Sequence, residues 1–173
     1  MPQVELTAQR SSNLSKRLYL ALCAADIRVP RQDESEPSFT RSALAPVVRS
    51  EVDKLTGLPL HFRGDGGDSQ AVPASALEIP FYPDLAVSIG KQHLWAAEVK
   101  VLRNTNRQNA IATALGQATL YRSRYEHVLV ILIDTSPTDR QSQRDLVDSA
   151  KDMGLRVIIR PRVGQVLLPQ AAH

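Results

Sequence analysis

Residues 83–102 read PDLAVSIGKQHLWAAEVKVL, and the expected arrangement of the whole chain follows from this segment. Two apolar runs flank the Gly-Lys pair at 90–91, a pattern typical of a tight reversal between antiparallel strands. We expect an extended segment over 77–89, interrupted by two prolines, and a return strand over 92–102. This hairpin carries charged residues inside an otherwise apolar segment, and these residues need a physical reason to be there.

Three charged side chains interrupt the hairpin. Because the side-chain period of a strand is two, Glu98 and Lys100 project from one face of the return strand. The residues predicted on the opposite face are apolar: Trp95, Ala97, Val99 and Val101. Asp84 lies on the neighbouring strand, within reach of Glu98. Two carboxylates about 4 Å apart repel by about 4 kcal/mol at an effective dielectric constant near 20, so a proton or a cation is expected between them.

A hard divalent cation suits an all-oxygen pocket better than a lysine ammonium does. Mg²⁺ is therefore the expected cofactor, with Mn²⁺ as a substitute. A metal held by carboxylates polarises a phosphodiester and lowers the pKa of an attacking water, and Lys100 beside it can orient or deprotonate that water. Glu98 and Lys100 can also be a chance pair that forms a salt bridge on an exposed edge strand. Both interpretations stay open on the residues alone.

Helices and strands alternate on both sides of the hairpin. The pattern predicts helices over about 41–55, 107–124 and 138–153, and strands over 58–62, 127–133 and 155–159. The first strands form a meander, and the later strands return through crossover helices. We therefore expect an α/β fold with a mixed β-sheet flanked by helices on both faces.

The chain divides into three regions in this interpretation. Residues 1–40 hold an amphipathic helix over about 14–27 and an exposed acidic, proline-containing linker over 29–39. Residues 41–160 form the core domain. Residues 161–173 are a C-terminal tail with room for one short strand over 163–168.

The residues around the hairpin resemble a known family. Pro83-Asp84, a turn, Glu98-Val99-Lys100 and a following helix are similar to the motif of the PD-(D/E)XK nuclease superfamily. The α-β-β-β-α-β order over about 41–134 is similar to that family's restriction-endonuclease-like, three-layer core. The resemblance implies that Asp84, Glu98 and the backbone carbonyl of Val99 bind the metal and that Lys100 activates water.

The helix after Lys100 extends the resemblance. Gln117 and Tyr121 look like the Gln-x-x-x-Tyr element of the RecB-like branch, and their i, i+4 spacing puts them on one helical face. The resemblance implies that both support the site or the scissile strand. The family often has an acidic metal ligand on the helix before the sheet, and Glu51 is the first candidate here, ahead of Asp53. A polar helix edge and a solvated acid are the respective alternatives.

A basic excess coincides with this region. The chain has a net charge of +3, whereas residues 91–128 contain six Lys or Arg against two Glu, a net charge of +4. The residues that we expect to contact a DNA backbone are Arg103, Asn104, Arg107 and Arg124. A solvated basic face is the alternative. Only 5% of residues are aromatic, so base stacking is a minor term unless Trp95, Tyr121 or Tyr125 is exposed.

Composition excludes several other classes of protein. The single cysteine, Cys23, excludes an internal disulfide and any multi-thiolate zinc or iron–sulfur site. The longest apolar run, residues 128–133, is far below the roughly 20 residues that span a membrane. The N-terminus has no apolar core of signal-peptide length. We therefore expect a cytoplasmic protein with no membrane partner.

Together these features predict a Mg²⁺-dependent deoxyribonuclease that hydrolyses phosphodiester bonds and contacts mainly the DNA backbone. One alternative is a catalytically silent module on the same fold that binds nucleic acid or a partner. The other is a structural α/β protein in which Glu98 and Lys100 form a surface ion pair. A double-strand cutter needs two catalytic centres, which a homodimer or a partner protein would supply.

Overall fold

The structure is a computed structural model that describes residues 5–136 and 138–162. The helices of these residues are α1 (Ala8–Ala24), α2 (Glu36–Phe39), α3 (Ala45–Asp53), α4 (Arg107–Tyr121) and α5 (Arg140–Asp152). The strands are β1 (Leu60–Gly64), β2 (Ala74–Ala76), β3 (Ile79–Phe81), β4 (Leu85–Ile89), β5 (Gln92–Leu102), β6 (His127–Asp134) and β7 (Arg156–Arg160). The strand predicted over 163–168 lies outside the described residues.

Five of the strands form one mixed sheet in the order β1-β4-β5-β6-β7. β1, β4 and β5 pair antiparallel, whereas β5, β6 and β7 pair parallel, because the later strands are joined through helices α4 and α5. Strands β2 and β3 form a separate hairpin. The predicted α/β fold with a mixed sheet flanked by helices is confirmed.

The two faces of β5 pack against different helices. Trp95, Ala97, Val99 and Val101 belong to the core that includes buried residues of α1 and α3, as their period-two alternation predicts. The other face of the sheet packs against α4, whose core residues are the alanines 110, 114 and 118. Small alanine side chains let this helix approach the sheet closely, so α4 can deliver a larger side chain to the face that carries Glu98.

The helix before the sheet begins earlier than the sequence pattern predicts. Ser35 caps α2 by accepting a hydrogen bond from the Ser38 amide at 3.3 Å, and Phe39 is fully buried. The helix then continues through a π-helical segment, Thr40–Leu44, into α3. Residues 36–39 are therefore helix rather than exposed linker, because a cap followed by proline in the first turn starts a helix.

The turn after β1 fixes the start of β4. Gly64 has φ +91°, and a Cβ there would lie 2.2 Å from the carbonyl oxygen of Asp84. That carbonyl accepts a hydrogen bond from the Asp65 amide at 2.7 Å. Glycine is required at this crossing because only a residue without a side chain allows the two backbones to lie so close. The position of Asp84 is set by this contact.

Candidate active site

Strand β5 extends beyond the start of β4, and in this part of β5 side-chain carboxylates, not a neighbouring strand, accept hydrogen bonds from the backbone amides. The pairing of the two strands ends at Ala97. Beyond it, the Val99 amide donates to Asp84 Oδ2 at 2.7 Å, and the Val101 amide donates to Glu36 Oε2 at 2.9 Å. Two acidic side chains from distant parts of the chain therefore lie along the same edge of β5.

Lys100 lies among these acids. Its Nζ is 2.6 Å from Glu98 Oε1 and 2.9 Å from Glu36 Oε1, and it donates to the Val99 carbonyl at 3.0 Å. The Glu98 side chain is only 2% exposed and that of Lys100 only 18%. Burial alone would lower the pKa of Lys100, but the Glu98 and Asp84 carboxylates raise it above its usual value. The ammonium group is therefore charged at neutral pH.

Tyr121 binds the second oxygen of Glu98. Its hydroxyl lies 2.8 Å from Glu98 Oε2 and 2.9 Å from the carbonyl oxygen of Tyr82, and the side chain is fully buried. Burial and the Glu98 charge both raise the pKa of Tyr121, so it remains a proton donor. Burial likewise raises the pKa of Glu98, against the opposing effects of Lys100 and Tyr121. Each oxygen of this buried carboxylate has a donor.

Asp84 is the acid whose ionisation is least favoured. Burial and the neighbouring Glu98 carboxylate raise its pKa to about 7, despite the lowering effects of Lys100 and the Val99 amide. A group with this pKa is partly protonated at neutral pH. A second cation at Asp84 would relieve the repulsion and favour the ionised form.

Gln117 contributes an unsatisfied polar atom. It lies one helical turn before Tyr121 on α4, and its side-chain oxygen is buried without a hydrogen-bond partner. A buried acceptor that lacks a donor costs about 1–3 kcal/mol. A donor from a bound water or ligand would remove this cost, and the role of Gln117 in the site stays a prediction.

The predicted helix acid lies elsewhere. Glu51 Oε2 is 3.2 Å from Arg17, and its Oε1 binds Lys54, so both of its oxygens have basic partners on the helical side of the core. Glu36, at the start of the same continuous helix, is the acid that reaches β5. The two positions are roughly 20 Å apart along a helix axis, which explains why only one can face the site.

Glu36 is the site residue that the sequence reasoning missed. It stands in the segment interpreted as linker, directly after Ser35 and before Pro37. A Ser followed by Glu and Pro is a helix start signal, and it could have moved the predicted beginning of the helix to this residue.

Two of the predicted DNA contacts have partners inside the protein. Arg107 binds Asp134, with Nη1 2.8 Å from Oδ2, and Asp134 is 1% exposed. Arg103 Nη2 donates to the carbonyl oxygen of Glu34 at 3.1 Å. These two guanidinium groups therefore have partners within the protein, whereas Asn104 and Arg124 are exposed. Contact of the four residues with DNA stays a prediction.

The oxygen atoms of the site suit a hard cation. Asp84, Glu98 and the Val99 carbonyl are adjacent, and carboxylate and carbonyl oxygens are the protein ligands of Mg²⁺. Within residues 5–136 and 138–162, no group of three or more His, Cys, Asp or Glu side chains is arranged to hold a metal ion. An ion at this site would complete its coordination with the carbonyl and with water or phosphate oxygens.

Comparisons with protein-family models, curated proteins and solved structures find no match to this chain. No helix in the described part of the chain has both the length and the apolar character needed to cross a membrane. The functional interpretation accordingly depends on the geometry and chemistry of the site.

Proposed function

We propose that this chain is a metal-dependent nuclease of the PD-(D/E)XK type, with a restriction-endonuclease-like core, that hydrolyses phosphodiester bonds in DNA. The observation that carries the proposal is the convergence of Asp84, Glu98 and Lys100 at the edge of a buried sheet. Removing two neighbouring carboxylates from water costs several kcal/mol. A bound divalent cation would offset this cost, which supports a cation-dependent reaction at the site.

The donor atoms fit a divalent cation. Asp84, Glu98 and the Val99 carbonyl would hold Mg²⁺ or Mn²⁺, and the proximity of the two carboxylates favours a bound cation. When bound, the metal would act as a Lewis acid towards the phosphodiester and lower the pKa of water.

The remaining side chains hold and charge the site. Glu36 and Glu98 bind the Lys100 ammonium from two sides, so it is oriented and stays protonated. In this state the positive charge of Lys100 would stabilise negative charge on a nearby phosphate oxygen, and Lys100 would not take a proton. Tyr121, the last residue of α4, holds the orientation of the Glu98 carboxylate through a hydrogen bond.

One observation favours a second candidate function. Lys100 already contacts Glu36, Glu98 and the Val99 carbonyl, so part of the negative charge is neutralised without a metal. A catalytically silent nucleic-acid-binding module would be stable in this arrangement. Calorimetric titration with Mn²⁺ separates the two, because only the nuclease requires a site that disappears in Asp84→Asn.

Cleavage assays test the proposal directly. Labelled single-stranded, duplex and branched DNA are incubated with the purified chain and Mg²⁺, Mn²⁺ or a chelator. We expect metal-dependent cleavage by the wild type and by the control Glu51→Gln, and none by Asp84→Asn or Lys100→Ala. A wild type that binds Mn²⁺ and cuts no DNA or RNA of any form would refute the enzymatic proposal.

A further inference from the structure

A cleft of about 250 Å³ opens beside the candidate active site. Its lining residues are Gly64, Asp65, Gln70, Ala71, Tyr82, Pro83 and Asp84. The lining combines an aromatic ring, aliphatic groups and the Gln70 amide. Its other acid, Asp65, is 3.2 Å from the guanidinium of Arg41. An aromatic ring allows a nucleobase to stack, and an amide can form hydrogen bonds with the edge of the base.

Tyr82 is the exposed aromatic side chain of the cleft. Tyr82 is 42% exposed, whereas Trp95, Tyr121 and Tyr125 are each at most 3% exposed. Base stacking was expected to depend on exposure of one of those three rings, and none of them is accessible. Among the Phe, Tyr and Trp side chains of the described residues, Tyr82 is the one that is exposed.

Hydrogen bonds that involve backbone groups connect the residues of the cleft to the candidate active site. The Tyr82 carbonyl accepts from the Tyr121 hydroxyl, which also contacts Glu98. Two residues later, Asp84 accepts from the Val99 amide. On the opposite wall, the Asp65 amide donates to the Asp84 carbonyl. Both walls are therefore held in fixed relation to the carboxylates, so a ligand in the cleft lies next to the proposed metal.

We propose that this cleft binds a nucleobase, that the base stacks on Tyr82, and that the enzyme consequently prefers DNA in which the base beside the scissile phosphate is unpaired. The inference rests on the proposed nuclease function and names the substrate class of that site. Bases in a duplex are stacked and paired, so only single-stranded, frayed or flap DNA presents one without an unpairing cost.

A neighbouring surface offers a competing explanation for exposed apolar groups. The β2–β3 hairpin carries Leu77, 95% exposed, and Ile79, 56% exposed, and a protein partner would bind there. Neither residue lines the cleft beside Asp84. Leu77 therefore provides a matched control: it is an exposed apolar residue of the same region whose removal leaves the cleft unchanged.

The test uses the full chain and DNA of one sequence in single-stranded and duplex form. Each strand carries 2-aminopurine next to the expected cut, because the fluorescence of this base falls when it stacks on an aromatic ring. Fluorescence is read with Ca²⁺ in place of Mg²⁺, and cleavage kinetics are measured with Mg²⁺. Wild type is compared with Tyr82→Ala, Tyr82→Phe and Leu77→Ala, and thermal melting confirms that each variant is folded.

We expect wild type, Tyr82→Phe and Leu77→Ala to quench the fluorescence of single-stranded DNA and to cut it in preference to duplex. Tyr82→Ala should lose the quenching and raise the KM for single-stranded DNA about tenfold, with kcat little changed. The proposal is overturned if wild type cuts DNA while Tyr82→Ala keeps the same quenching and preference, or if Leu77→Ala alone weakens binding. A wild type that neither binds nor cuts DNA overturns the nuclease function itself, and the base site with it.

Discussion

Asp84 and Lys100 owe their properties to their surroundings rather than to their residue types. Asp84 is partly buried beside Glu98, which disfavours its charge, whereas Lys100 is partly buried among acids, which favours its charge. Burial therefore raises the pKa of Asp84, whereas the pKa of Lys100 is raised by the carboxylates around it, against the effect of burial. This difference in protonation is measurable without a substrate.

Asp84 makes the stability of the metal-free protein depend on pH. Its pKa in the folded state is about 7, above the 3.8 of the unfolded chain, so the folded state binds the proton more tightly. Stability is greatest below about pH 4 for this group and falls by up to about 4 kcal/mol as the pH rises through 7. Urea unfolding should show Asp84→Asn to be more stable than wild type at pH 8 without metal.

Addition of Mg²⁺ provides the complementary measurement. It should raise the melting temperature of wild type at pH 8 and leave that of Asp84→Asn unchanged, because the ion binds the folded state through this carboxylate. If metal-free Asp84→Asn has a lower free energy of unfolding than wild type at pH 8, the assignment of a raised pKa to Asp84 in the folded protein is wrong.

Removal of Lys100 should leave an uncompensated buried acid. Lys100→Ala removes the cation bound to Glu98 and Glu36, so the free energy of unfolding should fall by about 3 kcal/mol and cleavage should cease. Lys54→Ala is the matched control, since Lys54 is an exposed partner of Glu51 and should cost less than about 1 kcal/mol. Equal losses in the two variants would count against a special role for Lys100.

At the level of secondary structure, the overhang of β5 creates the site. β5 is longer than β4, and its unpaired amides at Val99 and Val101 bind the carboxylates of Asp84 and Glu36. The continuous helix from Glu36 through α3 decides which acid reaches this edge. Its first residue faces the strand, while Glu51, some four turns later, contacts α1 through Arg17.

This arrangement predicts opposite outcomes for two acids of one helix. Glu36→Gln should lower activity about 10- to 100-fold, because the amide no longer holds the Lys100 ammonium by charge. Glu51→Gln should retain activity close to that of wild type. Both are measured as kcat/KM on one DNA substrate, and a larger loss for Glu51→Gln would show that the helix presents its other end to the reaction.

For the molecule as a whole, the charged surface is smaller than the charge count suggests. Arg107 is bound to buried Asp134 and thereby links the start of α4 to the end of β6, and Arg103 is bound to the backbone carbonyl of Glu34. Arg124, three residues after the end of α4, is exposed. Part of the basic excess of residues 91–128 therefore has a structural role, and contact with DNA stays a prediction for the exposed part.

Two arginine variants separate these roles. Arg107→Ala should cost about 3 kcal/mol of stability, since it leaves Asp134 buried without its partner. Arg124→Ala should leave stability within about 0.5 kcal/mol and should reduce the salt dependence of DNA binding by about one phosphate contact. Anisotropy titrations at several salt concentrations, together with urea unfolding, distinguish a structural arginine from one that binds DNA.

Local patterns were sufficient for the strands of the five-stranded sheet and for the two faces of β5. They missed β2, and the single extended segment predicted over 77–89 is two strands, β3 and β4, in different sheets. Side-chain alternation follows from the covalent geometry of a strand, so Glu98 and Lys100 could be assigned to one face and Val99 to the other from spacing alone. The closeness of Asp84 followed from a hairpin of short sequence separation. These features depend on residues that are close together in the chain, so they can be predicted from the amino-acid sequence.

Contacts between distant segments required the folded chain. Glu36 meets Lys100 across 64 residues, Arg107 meets Asp134 across 27, and the exposure of Tyr82 depends on what packs around it. Each pairing is selected by how the helices pack on the sheet and by the cost of leaving a buried charge alone, which no short sequence pattern encodes. Tertiary packing therefore decides which acids and arginines face the site and which only stabilise the fold.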